Sequence, residues 1–155
     1  MIDIKSSSPS LKSSRLSNFT PRKFSFEGMQ CAGLESIIQA LKCSNIETQK
    51  EICVLSGREA KRWGESQDFW KETQVLWWYN RSYGRSTREY LILISRIYDV
   101  AYNQDKSFKM DLLATGHDSI CHSIGNPDMR DTVLTEVEMI YQLNRLRIRA
   151  FGESQ

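Results

Sequence analysis

Residues 33–42 read Gly33-Leu34-Glu35-Ser36-Ile37-Ile38-Gln39-Ala40-Leu41-Lys42. On a helix, the aliphatic side chains of this stretch fall at i, i+3, i+4 and i+7 and share one face. Glu35, Gln39 and Lys42 are spaced i, i+4 and i+7 on a second strip, rotated by about 100° from the first. An acid, an amide and an ammonium beside a buried edge make a place to hold a ligand. Periodicity alone favours a simpler interpretation, an amphipathic helix whose Glu/Lys face is solvated.

Length and composition fit one globular domain spanning residues 1–155. A chain of this size buries about two-thirds of its unfolded surface around a single core. With 40% hydrophobic and 26% charged residues, it has an ordinary globular composition rather than a disordered one. The net charge of +2, from 21 basic and 19 acidic residues, neither requires nor excludes a nucleic-acid partner.

The cysteines are spaced unlike a zinc site, and only two histidines could supplement them. These residues are Cys31, Cys43, Cys53, Cys121, His117 and His122. We therefore expect reduced thiols, no bound metal and no cofactor. No apolar run approaches membrane-spanning length, and Met1–Lys5 lacks the apolar core of a signal peptide. A cytoplasmic protein with no membrane partner is expected.

The first half of the chain predicts a short strand, a hairpin and then helices. Alternation at residues 2–4 indicates an edge strand, and residues 5–15 read as a flexible, serine-rich basic loop. A hairpin with a tight turn at Glu27-Gly28 leads into the helix of residues 33–42. Capping patterns predict two further helices, one starting at Ser44-Asn45 and one from Ser56 to Gly64.

In the second half, helices again dominate. Residues 68–79 fit a helix or a strand equally, because their aromatic side chains satisfy both periods. Helices are predicted from Ser86-Thr87 to Tyr102, over 107–115, and over 132–149 with Asp131 as the N-cap. A brief strand is predicted at 120–124. The fold class is therefore α+β, predominantly helical, with a small β-hairpin or sheet and about five to six helices.

Five short segments, taken in order, resemble the signature of the NADAR/YbiA-like family. They are Leu16–Phe19, Phe24–Gly28, Glu35–Lys42, Gly57–Gly64 and Leu112–Gly116. The resemblance extends from Leu16 to the final helix and implies a YbiA-like domain. Family members are N-glycosidases: one branch acts on ribosylamino-pyrimidine phosphates of riboflavin biosynthesis, and another removes ADP-ribose from guanine.

Such chemistry calls for acids near the sugar. Breaking a ribose C–N bond develops positive charge on the anomeric carbon and the ring oxygen, which a nearby carboxylate stabilises. Glu35 matches the acid of the family's Glu-x-x-x-Gln-Ala helix, and we expect it to stabilise this charge and to activate water. The family's second acid lies in the loop after Leu112–Gly116, where we assign Asp128 ahead of Asp131. Met129-Arg130 replaces the Trp-Gly pair that usually follows this aspartate.

The substrate needs an aromatic wall for its base and cations for its phosphates. Stacking on an aromatic side chain contributes about 1–3 kcal/mol per base in nucleic-acid complexes. The family tryptophan corresponds to Trp77 or Trp78, and we assign Trp78 because Trp77 fits a helical core face. The remaining predicted substrate-binding residues are Asn18, Gln39, Lys42 and Arg58. Arg58 clusters with Lys61 and Arg62, which would also be compatible with a solvated helix face.

The sequence thus predicts an N-glycosidase acting on a nucleotide or on ADP-ribosylated guanine, either free or in nucleic acid. The alternative is a catalytically silent module that binds ADP-ribose or a nucleotide and acts through a partner. The altered aspartate loop supports it, as does Ser36, which stands where the family commonly has an aromatic residue or histidine. A third interpretation, nucleic-acid binding through the basic residues between Lys5 and Lys23, predicts affinity that falls steeply with salt.

Overall fold

The computed structural model describes all 155 residues, as eight helices and six short strands. The helices are α1 Leu11–Ser14, α2 Leu34–Ala40, α3 Ile46–Cys53, α4 Gly57–Glu65, α5 Phe69–Thr73, α6 Arg88–Gln104, α7 Lys106–Leu113 and α8 Glu136–Glu153. The strands are β1 Ile2–Asp3, β2 Phe24–Phe26, β3 Met29–Cys31, β4 Val75–Trp78, β5 Arg81–Gly84 and β6 Ile120–Cys121. The predicted α+β, mainly helical fold is confirmed, and the helices beyond the expected number are the short α1 and α5.

Helix α2 lies at the centre of the fold. Its aliphatic face is buried as the periodicity predicts, with no member more than 2% exposed; the members are Leu34, Ile37, Ile38 and Leu41. It packs against α3, α4 and α6. Asn45 caps α3 by accepting a hydrogen bond from the Thr48 amide, and Ser56 caps α4 by accepting one from the Glu59 amide.

The strands form three separate two-stranded sheets. In the β2–β3 hairpin, Glu27 and Gly28 have φ of 49° and 84°, as a two-residue type I′ turn requires. The tight turn predicted at this position is confirmed. Strands β4 and β5 form a second antiparallel hairpin. The third pair joins β1 to β6 in parallel, with Ile2 opposite Ile120, and so ties the start of the chain to its last third.

The predicted loop at residues 5–15 contains helix α1 and is anchored at several points. Ser13 is buried and donates a hydrogen bond to the Asp3 carbonyl. Arg15 and Arg22 both bind Asp111, through N–O distances of 3.1 and 2.9 Å. These arginines, part of the basic segment between Lys5 and Lys23, therefore serve the packing of α7 against the N-terminal region.

The last helix begins later than predicted. Its N-cap is Thr135, which forms a capping box with Glu138, so the prediction of Asp131 as the cap was wrong. Val137, in the first turn of α8, is 71% exposed, whereas Met139 and Leu143 are buried. None of the helices is both long enough and apolar enough to cross a membrane.

Candidate functional site

A cleft of about 360 Å³ opens beside the polar strip of α2. Its size lies within the range of about 300–1,000 Å³ that is usual for small-molecule sites. One side, which we call the helical wall, consists of residues from α2, from the turn just after it and from α4: Glu35, Ile38, Gln39, Lys42, Lys61, Gly64 and Glu65. The opposite side, the loop wall, comes from the connection between β6 and α8: His122, Ile124, Gly125, Asn126 and Asp131–Thr135. Ser17, Asn18 and Phe19 also line the cleft.

Two glycines on one face of α4 let this helix approach α2 closely. A Cβ atom on Gly57 would lie 3.0 Å from Phe19 and 3.4 Å from Cβ of Glu35. A Cβ atom on Gly64 would lie 1.7 Å from Oε1 of Gln39. Because Gly57 lies beside Glu35, and Gly64 beside Gln39, the two helices run in the same direction. The backbone of α4 therefore packs directly against side chains that line the cleft.

Glu35 is the acid of the helical wall. The side-chain amide of Gln39 donates a hydrogen bond of 2.8 Å to its Oε1 atom. Burial raises the pKa of Glu35 above its usual range, because it separates the charged form from water; the Gln39 bond and the charges of Lys61 and Lys42 oppose this only in part. The Glu35 carboxylate is thus held in one orientation in a partly desolvated environment.

Gln39 and Lys42 complete the polar strip that the sequence predicts. Gln39 is only 6% exposed, and its Oε1 atom has no hydrogen-bond partner in the protein. Lys42 donates from Nζ to the Gly64 carbonyl at 3.1 Å. Burial lowers the pKa of Lys42 to about 8, although Glu35 acts in the opposite direction. An ammonium with such a pKa titrates just above neutral pH.

The Ser17–Phe19 segment supplies an amide and an aromatic ring. Asn18 is buried and accepts a hydrogen bond of 2.9 Å from the Tyr98 hydroxyl, and its backbone carbonyl accepts one from the Glu35 amide. Phe19 lines the cleft, with Nζ of Lys61 at 5.6 Å from its ring centroid. Arg58 lies 5.9 Å from the same ring but is not among the cleft residues. The cation that α4 brings to the cleft is Lys61.

The loop wall brings Asp131, rather than Asp128, to the cleft. Asp128 is exposed, and its carboxylate accepts a hydrogen bond of 2.9 Å from the Arg130 amide within a turn. Its own carbonyl accepts a bond from the Asp131 amide at 3.0 Å. Asp128 thus shapes the turn that presents Asp131. The structure does not bring the predicted second acid, Asp128, into the site.

Trp78 is also absent from the cleft. The ambiguous segment forms helix α5 and then strand β4, in which Leu76 and Trp78 point to the core and Trp77 is half-buried. Trp78 is 3% exposed, and its Nε1 atom donates to Glu27 at 2.8 Å. The assignment to the ligand used helical periodicity, and the strand period reverses which tryptophan belongs to the core. The aromatic ring that lines the cleft is Phe19.

His122 lies on the loop wall near Glu35. Its Nδ1 atom is 2.7 Å from the Ile4 carbonyl oxygen. No group of three or more His, Cys, Asp or Glu side chains is placed to bind a metal ion. Ser36 is fully buried, donates to the Leu55 carbonyl at 2.6 Å and does not line the cleft.

The structure therefore gathers Glu35, Asn18, Gln39 and Lys42 as predicted and leaves out Asp128, Trp78 and Arg58. Phe19, Lys61, His122 and Asp131 are among the cleft residues that sequence reasoning did not assign to the site. Two of them had a usable signal. Lys61 lies at i+4 from Gly57 and i−3 from Gly64, hence on the same face of α4. The Thr135-x-x-Glu138 capping box would have placed the helix N-cap at Thr135, and Asp131 would then not have been needed as the cap.

Comparison with solved structures identifies the class of fold. The domain is similar to the NMR structure of the E. coli protein YbiA, with a TM-score of 0.64 and 17% sequence identity, covering 99% of this chain and 89% of that one. The chain thus has a YbiA-like fold, as the five sequence segments implied.

Sequence comparison gives the family. The chain is 35% identical over 133 residues to an uncharacterized 17.1 kDa protein in the Gp30-rIII intergenic region of Enterobacteria phage T4, covering 85% of this chain and 88% of that protein. A family model described as bacteriophage protein GP30.3 matches residues 10–148. The chain belongs to the bacteriophage protein GP30.3 family, which is of the NADAR type.

Proposed function

We propose that this protein is an N-glycosidase that hydrolyses the bond between a base and a ribose. The observation that carries the proposal is the place of Glu35: a partly desolvated carboxylate, fixed by Gln39, on the wall of a nucleotide-sized cleft. Resemblance to the NADAR/YbiA-like family supports the same reaction class, and we infer the type that acts on ADP-ribosylated guanine or on ribosylamino-pyrimidine phosphates.

The chemistry follows from where charge develops. As the C–N bond breaks, its electron pair leaves with the base, and the sugar gains positive charge. A carboxylate whose pKa is raised by burial is stabilised most when a positive charge forms next to it, so Glu35 favours the transition state over the ground state. Gln39 prevents the carboxylate from turning away. Asp131 faces the cleft from the loop wall, and we assign to it the second acid role, orienting the leaving base.

The rest of the cleft suits a nucleotide. Phe19 offers a flat face to a base, and Lys42 and Lys61 offer positive charge to phosphate groups. Asn18, fixed by Tyr98, is placed to hydrogen-bond the sugar or the base. A small nucleotide, or ADP-ribose on guanine alone or in nucleic acid, would satisfy these groups together.

The test is direct hydrolysis by the purified protein. ADP-ribosylated guanosine, ADP-ribosylated DNA and a ribosylamino-pyrimidine phosphate are incubated separately, and released ADP-ribose or ribose phosphate is separated by chromatography. We expect turnover of at least one substrate, and a loss of about 1,000-fold in kcat for Glu35→Gln. Glu65→Gln is the matched control, since Glu65 is an exposed acid on the same wall.

Two outcomes would count against the proposal. Absence of product from all three substrates, with ADP-ribose binding detected by calorimetry, would support the silent binding module instead. Turnover that Glu35→Gln leaves unchanged would remove Glu35 from the reaction. A Glu35→Gln variant that keeps the wild-type melting temperature ensures that lost turnover does not reflect lost folding.

A further inference from the structure

The imidazole of His122 is held in one tautomer by the start of the chain. Its Nδ1 atom lies 2.7 Å from the Ile4 carbonyl oxygen, which can only accept a hydrogen bond. Nδ1 therefore carries the proton, and Nε2 of the neutral ring keeps its lone pair. Nε2 makes no hydrogen bond within the protein, while the side chain lines the cleft.

The position of the ring is fixed as tightly as its tautomer. A Cβ atom on Gly125 would lie 2.6 Å from Cδ2 of His122, so the ring edge that carries Nε2 packs directly on this glycine. The Gly125 amide also donates to the His122 carbonyl at 2.9 Å. Only a residue without a side chain leaves room for the imidazole here.

Strand β1 holds the Ile4 carbonyl in place. Its Asp3 accepts a hydrogen bond of 2.9 Å from the Ser123 amide, and a second from the Ser123 hydroxyl. The Ile4 amide donates to the Cys121 carbonyl at 2.8 Å. Residues on both sides of His122 are thus bonded to β1. This anchoring segment precedes residue 10, where the match to the family model begins.

Charged groups approach His122 from two helices. Glu35 of α2 lies close enough for a positive charge on the imidazole to lower the pKa of its carboxyl. Glu136 of α8 packs against the same loop, with its Cβ atom 2.8 Å from the position that a Cβ atom on Gly125 would take.

We propose that His122 is the proton acceptor for the attacking water, a role that rests on the N-glycosidase function proposed above. The water oxygen forms a bond to the anomeric carbon as the C–N bond breaks, and the electron pair of that bond leaves with the base. A water proton moves to Nε2 of His122, giving an imidazolium whose charge the nearby carboxylate of Glu35 stabilises. The imidazolium then releases the proton to the departing base or to solvent, so no other reactant is needed. Glu35 thus stabilises the positive charge on the ribose, and His122 accepts the proton from the attacking water.

The experiment compares two variants at His122 with the wild type. His122→Asn keeps an amide donor for the Ile4 carbonyl but has nothing at the position of Nε2. We expect kcat to fall about 100-fold, as for loss of a general base, with KM changed less than about threefold. His122→Ala should lose kcat similarly, and added imidazole should restore part of it. In the wild type, nitrogen NMR of the histidine ring should show the proton on Nδ1.

Each result decides between distinct conclusions. A His122→Asn variant with wild-type kcat, or a higher KM at unchanged kcat, would overturn the proton-acceptor role while leaving the glycosidase function intact. A proton found on Nε2 in the free protein would also overturn it. Absence of turnover by the wild type would overturn both proposals together. Melting temperatures close to the wild type in both variants exclude loss of folding as the cause of lower kcat.

Discussion

The two walls of the cleft are built by different means. The helical wall takes its side chains from α2 and α4, whose regular spacing places Glu35, Gln39 and Lys42 in a row and brings Lys61 from the neighbouring helix. The loop wall has no such period, and His122 depends on a bond to Ile4, just after β1. In the helical wall, the positions of the side chains follow from residues near one another in sequence. In the loop wall, they depend on contacts with distant parts of the chain. The following variants test this contrast.

Among these variants, the largest effect is expected at Gly64, on the helical wall. Alanine there would favour the helix by about 0.5–1 kcal/mol, yet its Cβ atom would meet the Gln39 amide at 1.7 Å. The flexible end of Gln39 can move away at small cost in stability, but Glu35 then loses its hydrogen bond. We expect kcat to fall about 100-fold for Gly64→Ala, because misplacing a reacting group by about 1 Å costs that much.

Gly152→Ala is the matched control for this variant. Gly152 also lies in a helix, α8, and nothing lies within 4 Å of the position its Cβ would take. It should keep full activity and gain a similar helix propensity. Equal kcat values for the two alanine variants would show that the close approach of α4 to α2 does not matter for turnover.

On the loop wall, Asp131 and Asp128 form a natural pair. Asp131→Asn should lower kcat/KM by about 10- to 30-fold, since it removes a carboxylate from the cleft but keeps the shape of the side chain. Asp128→Asn should stay within about twofold, because an asparagine oxygen can still accept the hydrogen bond from the Arg130 amide. Steady-state kinetics of both variants measures this. The reverse ranking would return the second acid role to Asp128.

Lys42 gives the helical wall a dependence on pH. Its pKa of about 8 lies below the ordinary lysine value, so the fraction that is positively charged falls between pH 7 and 9. If Lys42 binds phosphate, affinity for ADP-ribose should decrease about fivefold over this interval. Calorimetry at both pH values tests the prediction. Lys42→Met should bind more weakly at pH 7 and show little further change at pH 9, and a pH response equal to that of the wild type would exclude Lys42 as its source.

The smallest effect on activity is expected at Trp78. Trp78→Phe loses the hydrogen bond to Glu27 and part of the packing with Phe26 and Tyr79. The free energy of unfolding should fall by about 1–3 kcal/mol in urea titrations, while kcat and KM stay within about twofold. A large rise in KM at unchanged stability would instead assign Trp78 to the ligand.

Sequence predicted the part of the helical wall formed by α2, because its cause is local. The polar strip of α2 follows from a period of 3.6, and the capping residues Asn45 and Ser56 mark where the next helices begin. The close approach of α4 to α2 could not be predicted from the sequence, because glycines at the two ends of a short helix also fit ordinary helix–loop boundaries. Only their distances to Phe19 and Gln39 reveal their role.

The sequence did not predict the loop wall, for two physical reasons. Aspartates at 128 and 131 both suit turns and caps, so composition could not decide which one faces the ligand. The anchor of His122 comes from a residue 118 positions earlier, a bond that no local pattern encodes. The assignment of Trp78 to the ligand was wrong for another reason. A helical period places Trp77 in the core, whereas a strand period places Trp78 there, and the pairing with β5 makes this segment a strand.

The parallel pairing of β1 with β6 also bears on how the chain folds. Helices α2, α3 and α4 follow one another and pack together early at little loop-closure cost, whereas β1 must find a partner across most of the chain. We therefore expect the helices to associate first and the docking of the first strand to be among the last steps. A partly folded chain would then already present its acid and lysines before the histidine reaches its position.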